Sequence, residues 1–216
     1  MGNSESVSEN RQTVLAFHTF STNYLDGYEI GDRIKFVRKL YSHWALYIGN
    51  GRVVHLNPKN CPEMVGLGNR NTWYDGEVTI ANLADVAGTD RIRVWQVTSE
   101  RNGRDHIRPR RDIETIIELA LEHQMFKYCL MQFNCEHFVN FLKLGKPVCI
   151  QSLANPLSGL EASFRYIGVI PTTKIKTRCT ESTSDDQRRQ ELKEICENVV
   201  AYIKENEPRE QERTFW

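Results

Sequence analysis

The sequence predicts an α+β fold in which an antiparallel sheet comes first in the chain and helices pack against it afterwards. Two observations predict it. Three strand-like runs rich in β-branched and aromatic residues stand close together between Arg33 and Leu56, the last two joined by turn residues. Beyond Arg111 the apolar spacing changes to i, i+3, i+4, i+7, the period of a helix with one buried face.

Taken in order, residues 1–12 are polar and aperiodic, and Val14 to Tyr24 is an apolar stretch of ambiguous type containing Phe17, Phe20 and Tyr24. The domain is expected to begin near Tyr28, giving a leader over 1–27 and a main domain over 28–170. Strands are expected at Arg33 to Val37, Trp44 to Ile48 and Arg52 to Leu56. Gly49-Asn50-Gly51 supplies the φ > 0 conformations that a tight hairpin needs, so His43 and His55 should lie on adjacent antiparallel strands. Further strands are expected at Glu77 to Leu83 and Arg91 to Val97. Asn57 to Tyr74 carries no readable motif.

Ile113, Ile116, Ile117 and Ala120 mark the apolar face of a helix from Arg111 to about Gln124. Lys127 to Phe133 is short and partly apolar. Asn134 then offers an N-cap, Phe138, Phe141 and Leu142 a stripe, and Gly145 a stop; Cys135 falls in the first turn. Pro147, Pro156 and Pro171 interrupt the chain beyond this helix, so Val148 to Ile170 reads as irregular or short helical packing. Residues 171–184 have linker composition. Ser184 and Gln187 form a capping-box pattern ahead of a helix over 185–206, striped by Leu192, Ile195, Cys196, Val199 and Ile203. Its polar face alternates acids and bases without the Lys/Arg excess of a membrane-surface helix, which favours docking on the domain, self-association or a protein partner. A polar tail covers 207–216.

Composition narrows the function classes. With 216 residues, 40% hydrophobic and 26% charged, the chain fits one globular domain with extensions, and disordered, collagen-like and disulfide-scaffold classes are excluded. Lys+Arg and Asp+Glu are 28 each, so no global field exists to recruit nucleic acid. No transmembrane span or secretory segment is legible, and the six cysteines form no C-x-x-C pair. Free thiols in a reducing cytosol are the expectation. The start, Met1-Gly2-Asn3-Ser4-Glu5-Ser6, fits the M-G-x-x-x-[ST] signal for acylation of Gly2.

Cys135 is the centre of the chemical reading. A cysteine at a helix N-terminus sits at the positive end of the helix dipole beside free N–H groups, which should stabilise an exposed thiolate and could hold an oxyanion. His43 could act as general base and His55 could orient it across the hairpin. Buried structural roles would account for the same spacing. His137, two residues beyond Cys135, points away from it and reads as structural.

The blocks Gly31-Asp32-Arg33-Ile34, Ser42-His43-Trp44-Ala45-Leu46-Tyr47-Ile48-Gly49, Val53-Val54-His55-Leu56 and Asn134-Cys135-Glu136-His137-Phe138-Val139 with Gly145 resemble the lecithin:retinol acyltransferase (LRAT) domain family. The resemblance covers about residues 28–150 and is closest to the HRAS-like suppressor branch of phospholipases A and acyltransferases. It implies a circularly permuted papain-like fold, with Cys135 as nucleophile, His43 as general base and acid, His55 as the orienting group, and Tyr41 and Asn134 as oxyanion or supporting residues. Family members cleave a glycerophospholipid ester through a cysteine thioester and pass the acyl group to water, a lysophospholipid or an amine, with no metal or other cofactor. A phospholipid membrane surface is the implied partner, and a cytoplasmic, peripheral location is implied with it. The same family and fold also admit a thiol amide hydrolase and a non-enzymatic membrane-associated interaction or morphogenesis module.

One departure stands out. In place of the hydrophobic anchoring segment usual at the end of that branch stand a charged amphipathic helix and a polar tail. Gly2 acylation and two basic clusters, Arg33, Lys35, Arg38 and Lys39, and Arg101, Arg104, Arg108, Arg110 and Arg111, are candidate replacements.

Overall fold

The computed structural model describes residues 27–38, 41–60, 72–95, 107–130, 132–149, 179 and 184–205, together with the backbone at 152–153, 164–165 and 168–169. Strands β1 (Arg33–Val37), β2 (Ser42–Gly49), β3 (Arg52–Pro58), β4 (Trp73–Asn82), β5 (Arg91–Trp95) and β6 (Lys127–Cys129) form one sheet in the order β5-β1-β2-β3-β4-β6. Every neighbouring pair is antiparallel. The β2–β3 hairpin turns on Gly49, Asn50 and Gly51, all at positive φ, as the turn residues predict. β4 begins earlier than expected, at Trp73. It can run alongside β6 because Gly76 has no side chain: a Cβ there would lie 2.6 Å from the Phe126 carbonyl oxygen.

Among the described residues four helices accompany the sheet: α1 (Leu83–Ala87), α2 (Arg110–His123), α3 (Cys135–Leu144) and α4 (Asp185–Glu205). The five-residue α1 is too short to show a period and has no signature in the sequence. Pleating divides the sheet's side chains between two cores. Trp44, Leu46, Ile48, Val54 and Leu56 face the larger one, shared with α2, α3 and α4. Ile34, Phe36, Ala45, Tyr47 and Val53 face a smaller one with Leu83 and Ala87 of α1.

The predicted helix stripes are the buried ones. Ile113, Ile116, Ile117 and Ala120 of α2 meet Leu192, Ile195, Cys196, Val199 and Ile203 of α4 in the larger core. So α4 docks back on the domain. The junction is locked by Arg188, whose Nε and Nη2 donate to both Asp112 carboxylate oxygens at 2.6 and 2.7 Å. Where the span expected to be irregular or short helical packing, Val148 to Ile170, is described, short strands stand in place of helix: β7 (Val148–Cys149) pairs with β10 (Gly168–Val169), and β8 (Ser152–Leu153) with β9 (Phe164–Arg165); the rest of it lies outside the described residues. Proline blocks helices but permits two-residue ladders between the breaks. The leader at 1–26, most of the linker, the tail and the second arginine cluster's Arg101 and Arg104 lie outside the described residues.

Candidate active site

α3 begins where the sequence places it because Asn134 caps it. The Asn134 side-chain oxygen accepts from the N–H groups of Glu136 (2.9 Å) and His137 (3.3 Å), and the Asn134 N–H donates to His137 Nδ1 at 3.2 Å. This reciprocal cap consumes His137, which is buried and stacked on Phe133. Gly145, in the left-handed region at φ 66°, ends the helix. Cys135 is thereby fixed as the first helical residue, at the end that meets β2.

Its thiol is 1% exposed, which corrects the expectation of an exposed thiolate. Two backbone N–H groups, of Trp44 on β2 and Glu136 on α3, hydrogen-bond the sulfur, and the Tyr128 hydroxyl also contacts it. Burial outweighs these donors and pushes the Cys135 thiol up to about 12. The resting species is a neutral thiol. Burial beside Cys135 and Tyr41 likewise holds the Tyr128 hydroxyl well above the usual phenol range.

The hairpin brings the two histidines together. Register runs Leu46↔Val54 and Tyr47↔Val53, which sets His55 diagonal to His43, within reach of ring-to-ring contact. His43 Nε2 and His55 Nδ1 lie 2.9 Å apart with the rings at 81°. Thr79 Oγ1 is 3.1 Å from His55 Nε2, and the Asn57 side chain also bonds His55. Both imidazoles are neutral. Burial, then the partner His55 and the Arg38 charge, hold His43 well below its ordinary value; burial foremost brings His55 down to about 4.

His43 stacks on Phe36, its cross-strand neighbour in β1. Among the described residues no hydrogen bond joins the thiol to either imidazole. The two groups meet through the strand itself, since the sulfur is bonded to the backbone N–H of the residue after His43.

Three of the surrounding residues are not legible in the sequence as site residues. Tyr128, seven residues before Cys135, and Thr79, opposite His55 in the β3–β4 register, have no motif to mark them. Arg38 groups by sequence with surface cations, yet its Nε donates to Asp90 at 3.0 Å and its Nη1 to the Tyr41 hydroxyl at 2.9 Å. Its charge acts on His43, His55 and Cys135 alike. Tyr41 is thereby tethered beside the cluster, while the Asn134 side chain is committed to the helix cap and to Leu130 O. Among the described residues no group of three or more His, Cys, Asp or Glu side chains is arranged to hold a metal ion.

A family model described as lecithin retinol acyltransferase matches residues 26–148, the span that contains the sheet, both histidines and α3. The chain belongs to the lecithin retinol acyltransferase family. Among its relatives are human phospholipase A and acyltransferase 4, 40% identical over 127 residues covering 56% of this chain and 73% of the relative, and rat phospholipase A and acyltransferase 1, 32% identical over 161 residues covering 70% and 92%. Human phospholipase A and acyltransferase 3 is 36% identical over 120 residues, 53% of this chain and 70% of the relative. Within the lecithin retinol acyltransferase family it therefore falls in the phospholipase A and acyltransferase branch. The family span stops before α4.

Proposed function

We propose that the protein is a thiol-dependent phospholipase A and acyltransferase, with Cys135 as nucleophile, His43 as general base and acid, and His55 as the group that orients His43. The observation that carries this reading is the cysteine at the capped start of α3, its sulfur bonded to the backbone N–H next to His43, in a chain of this family. The histidine strands precede the cysteine helix, the order of a permuted papain-like arrangement.

The chemistry is built from these contacts. His43 Nε2 is engaged by His55, so Nδ1 is the ring nitrogen that exchanges a proton with the thiol. Catalytic hydrogen bonds are often long before substrate binds. As the sulfur attacks the acyl carbonyl carbon of a glycerophospholipid, its proton passes to His43, and the oxyanion takes up the Trp44 N–H that held the sulfur, with Tyr41 and Tyr128 as further donors. Collapse breaks the acyl C–O bond, and His43 returns the proton to the departing lysophospholipid oxygen. The Cys135 thioester is then attacked by water, a lysophospholipid or an amine, which gives its proton to His43; collapse expels the sulfur, which regains the proton. A neutral resting pair suits this concerted route, because no charge is stored in a buried site before the ester arrives.

A site of this kind works at a membrane from the cytoplasmic side, as a peripheral protein; no described helix is long and apolar enough to cross a membrane. Acylation at Gly2, outside the described residues, would add one weak anchor. The test is intact-protein mass spectrometry after mixing with phosphatidylcholine vesicles. An acyl-sized adduct released by hydroxylamine, present in wild type and missing in Cys135→Ala, is expected. Vesicle binding with neither adduct under rapid quench nor lysophospholipid product would sink the reading.

A further inference from the structure

The outer edge of the sheet carries an unassigned surface. In β1 and β5 together, four of ten residues are cationic (Arg33, Lys35, Arg91, Arg93) and none is acidic. Register places Lys35 between Trp44 and Arg93, Arg33 between Leu46 and Trp95, and Val37 between Ser42 and Arg91. Residues directly opposite across antiparallel strands share a face. Arg91, Arg93, Lys35, Trp95 and Trp44 therefore stand together on the α3 side of the sheet, beyond the part that α3 covers.

Among the described residues no acidic side chain pairs with three of these cations. Arg33 is bonded to Asn140, and Arg38, their neighbour in sequence, is turned to Asp90 and Tyr41. Lys35, Arg91 and Arg93 make no ion pair among the described residues. Beside them Trp95 is 50% exposed, a large aromatic ring left in water on an edge strand. It packs on Trp44 with centroids 6.0 Å apart, and Lys35 Nζ sits 5.3 Å over the Trp44 ring. The Trp44 indole N–H is buried without an acceptor among the described residues, and the Trp44 backbone N–H is the one that holds the Cys135 sulfur. An exposed tryptophan beside three cations that have no acidic partner among the described residues matches the headgroup layer of an anionic bilayer, where amphipathic rings settle and basic side chains meet lipid phosphates.

We propose that the β5–β1 edge is the surface on which the protein seats against an anionic phospholipid bilayer, with Trp95 entering the headgroup layer and Lys35, Arg91 and Arg93 contacting phosphates. The inference rests on the phospholipase reading and adds the membrane face and its lipid charge. Seated this way, a lipid meets Trp95 first and, behind it, Trp44, whose ring is tilted 59° against that of Trp95.

Binding is separable from chemistry if the vesicles are made of ether-linked lipids, which have no ester to cleave. Wild-type full-length protein is expected to co-sediment more strongly with ether phosphatidylcholine containing ether phosphatidylserine than with ether phosphatidylcholine alone, and salt should weaken the difference. Each basic side chain near such a surface is worth several-fold in affinity, so Arg91→Gln with Arg93→Gln should weaken binding roughly thirtyfold. Arg52→Gln with Arg189→Gln, the same charge change away from both basic clusters, should leave it unaltered. Brominated phosphatidylserine should quench wild-type tryptophan fluorescence more than that of Trp95→Phe. Equal loss in both arginine pairs, or quenching that ignores Trp95, overturns the assignment, and the quenching arm needs only the conservative variant to fold. Vesicle binding at this edge without any acyl-enzyme would leave the surface standing and refute the catalytic reading; an acyl-enzyme formed with binding indifferent to Arg91, Arg93 and Trp95 would do the reverse.

Discussion

The buried thiol makes a quantitative claim about reactivity. An ordinary thiol at 9.0 is raised to about 12 at Cys135, so at any pH below about 9 the thiolate fraction is lower by about a thousandfold. A more basic thiolate is intrinsically more nucleophilic, with a Brønsted slope of about 0.4–0.5, which returns about twentyfold over that shift. Alkylation of Cys135 by iodoacetamide without lipid should therefore run about fiftyfold slower than that of free cysteine, before any steric loss. Its rate should rise about tenfold per pH unit between about pH 6 and pH 10, with no plateau. Peptide-resolved mass spectrometry reads this directly, with the partly exposed Cys179 as a comparison in the same sample. Steric blocking alone would lower the rate without altering its pH dependence. A plateau reached near neutral pH would mean a preformed thiolate, and proton transfer concerted with attack would be wrong.

Three further outcomes are expected. The folded state keeps His55 neutral down to about 4 while the unfolded chain takes a proton near 6.5, so stability present above pH 6.5 is lost as pH falls from there toward about 4, on the order of 3 kcal/mol from this group; urea titrations should show that His55→Gln removes this part of the slope, and an unchanged slope would refute it. Asp112→Ala leaves the Arg188 guanidinium facing α2 without its bidentate partner and should cost about 3–5 kcal/mol, whereas Arg188→Met should cost less; equal and small losses in denaturant would show that α4 adds little to the domain. Tyr128→Phe removes a hydroxyl from the sulfur and should slow acyl-enzyme formation by about tenfold or more at unchanged thermal stability, and an unaltered rate would assign the ring to packing alone.

Much of this architecture is legible because its causes are local. Gly49-Asn50-Gly51 can only turn, Asn134 and Gly145 bracket a helix by their own hydrogen bonds and φ, and the stripes of α2 and α4 carry their buried faces in their spacing. The missing parts depend on residues far apart in the chain. The buried thiol meets Trp44 and Tyr128 from two other strands, which no property of the Asn134-Cys135-Glu136 segment reports. Arg38 and Lys35 look alike in sequence, yet Asp90, more than fifty residues on, draws one into the site while pleating leaves the other on the edge. The pairing of β5 with β1, which creates the cationic edge, spans the whole hairpin system and has no local signal.

The β2–β3 turn has a consequence for how this fold can vary. His43 and His55 touch only because the hairpin closes in one alignment, with its irregularity confined between Tyr47 and Gly49. Inserting or deleting a single residue there would send His55 to the opposite side of the pleat, into the space of Val54 and Leu56, without altering His43, His55 or Cys135. The number of residues in this turn is therefore set by the contact between the histidines as much as by the turn's own backbone conformation.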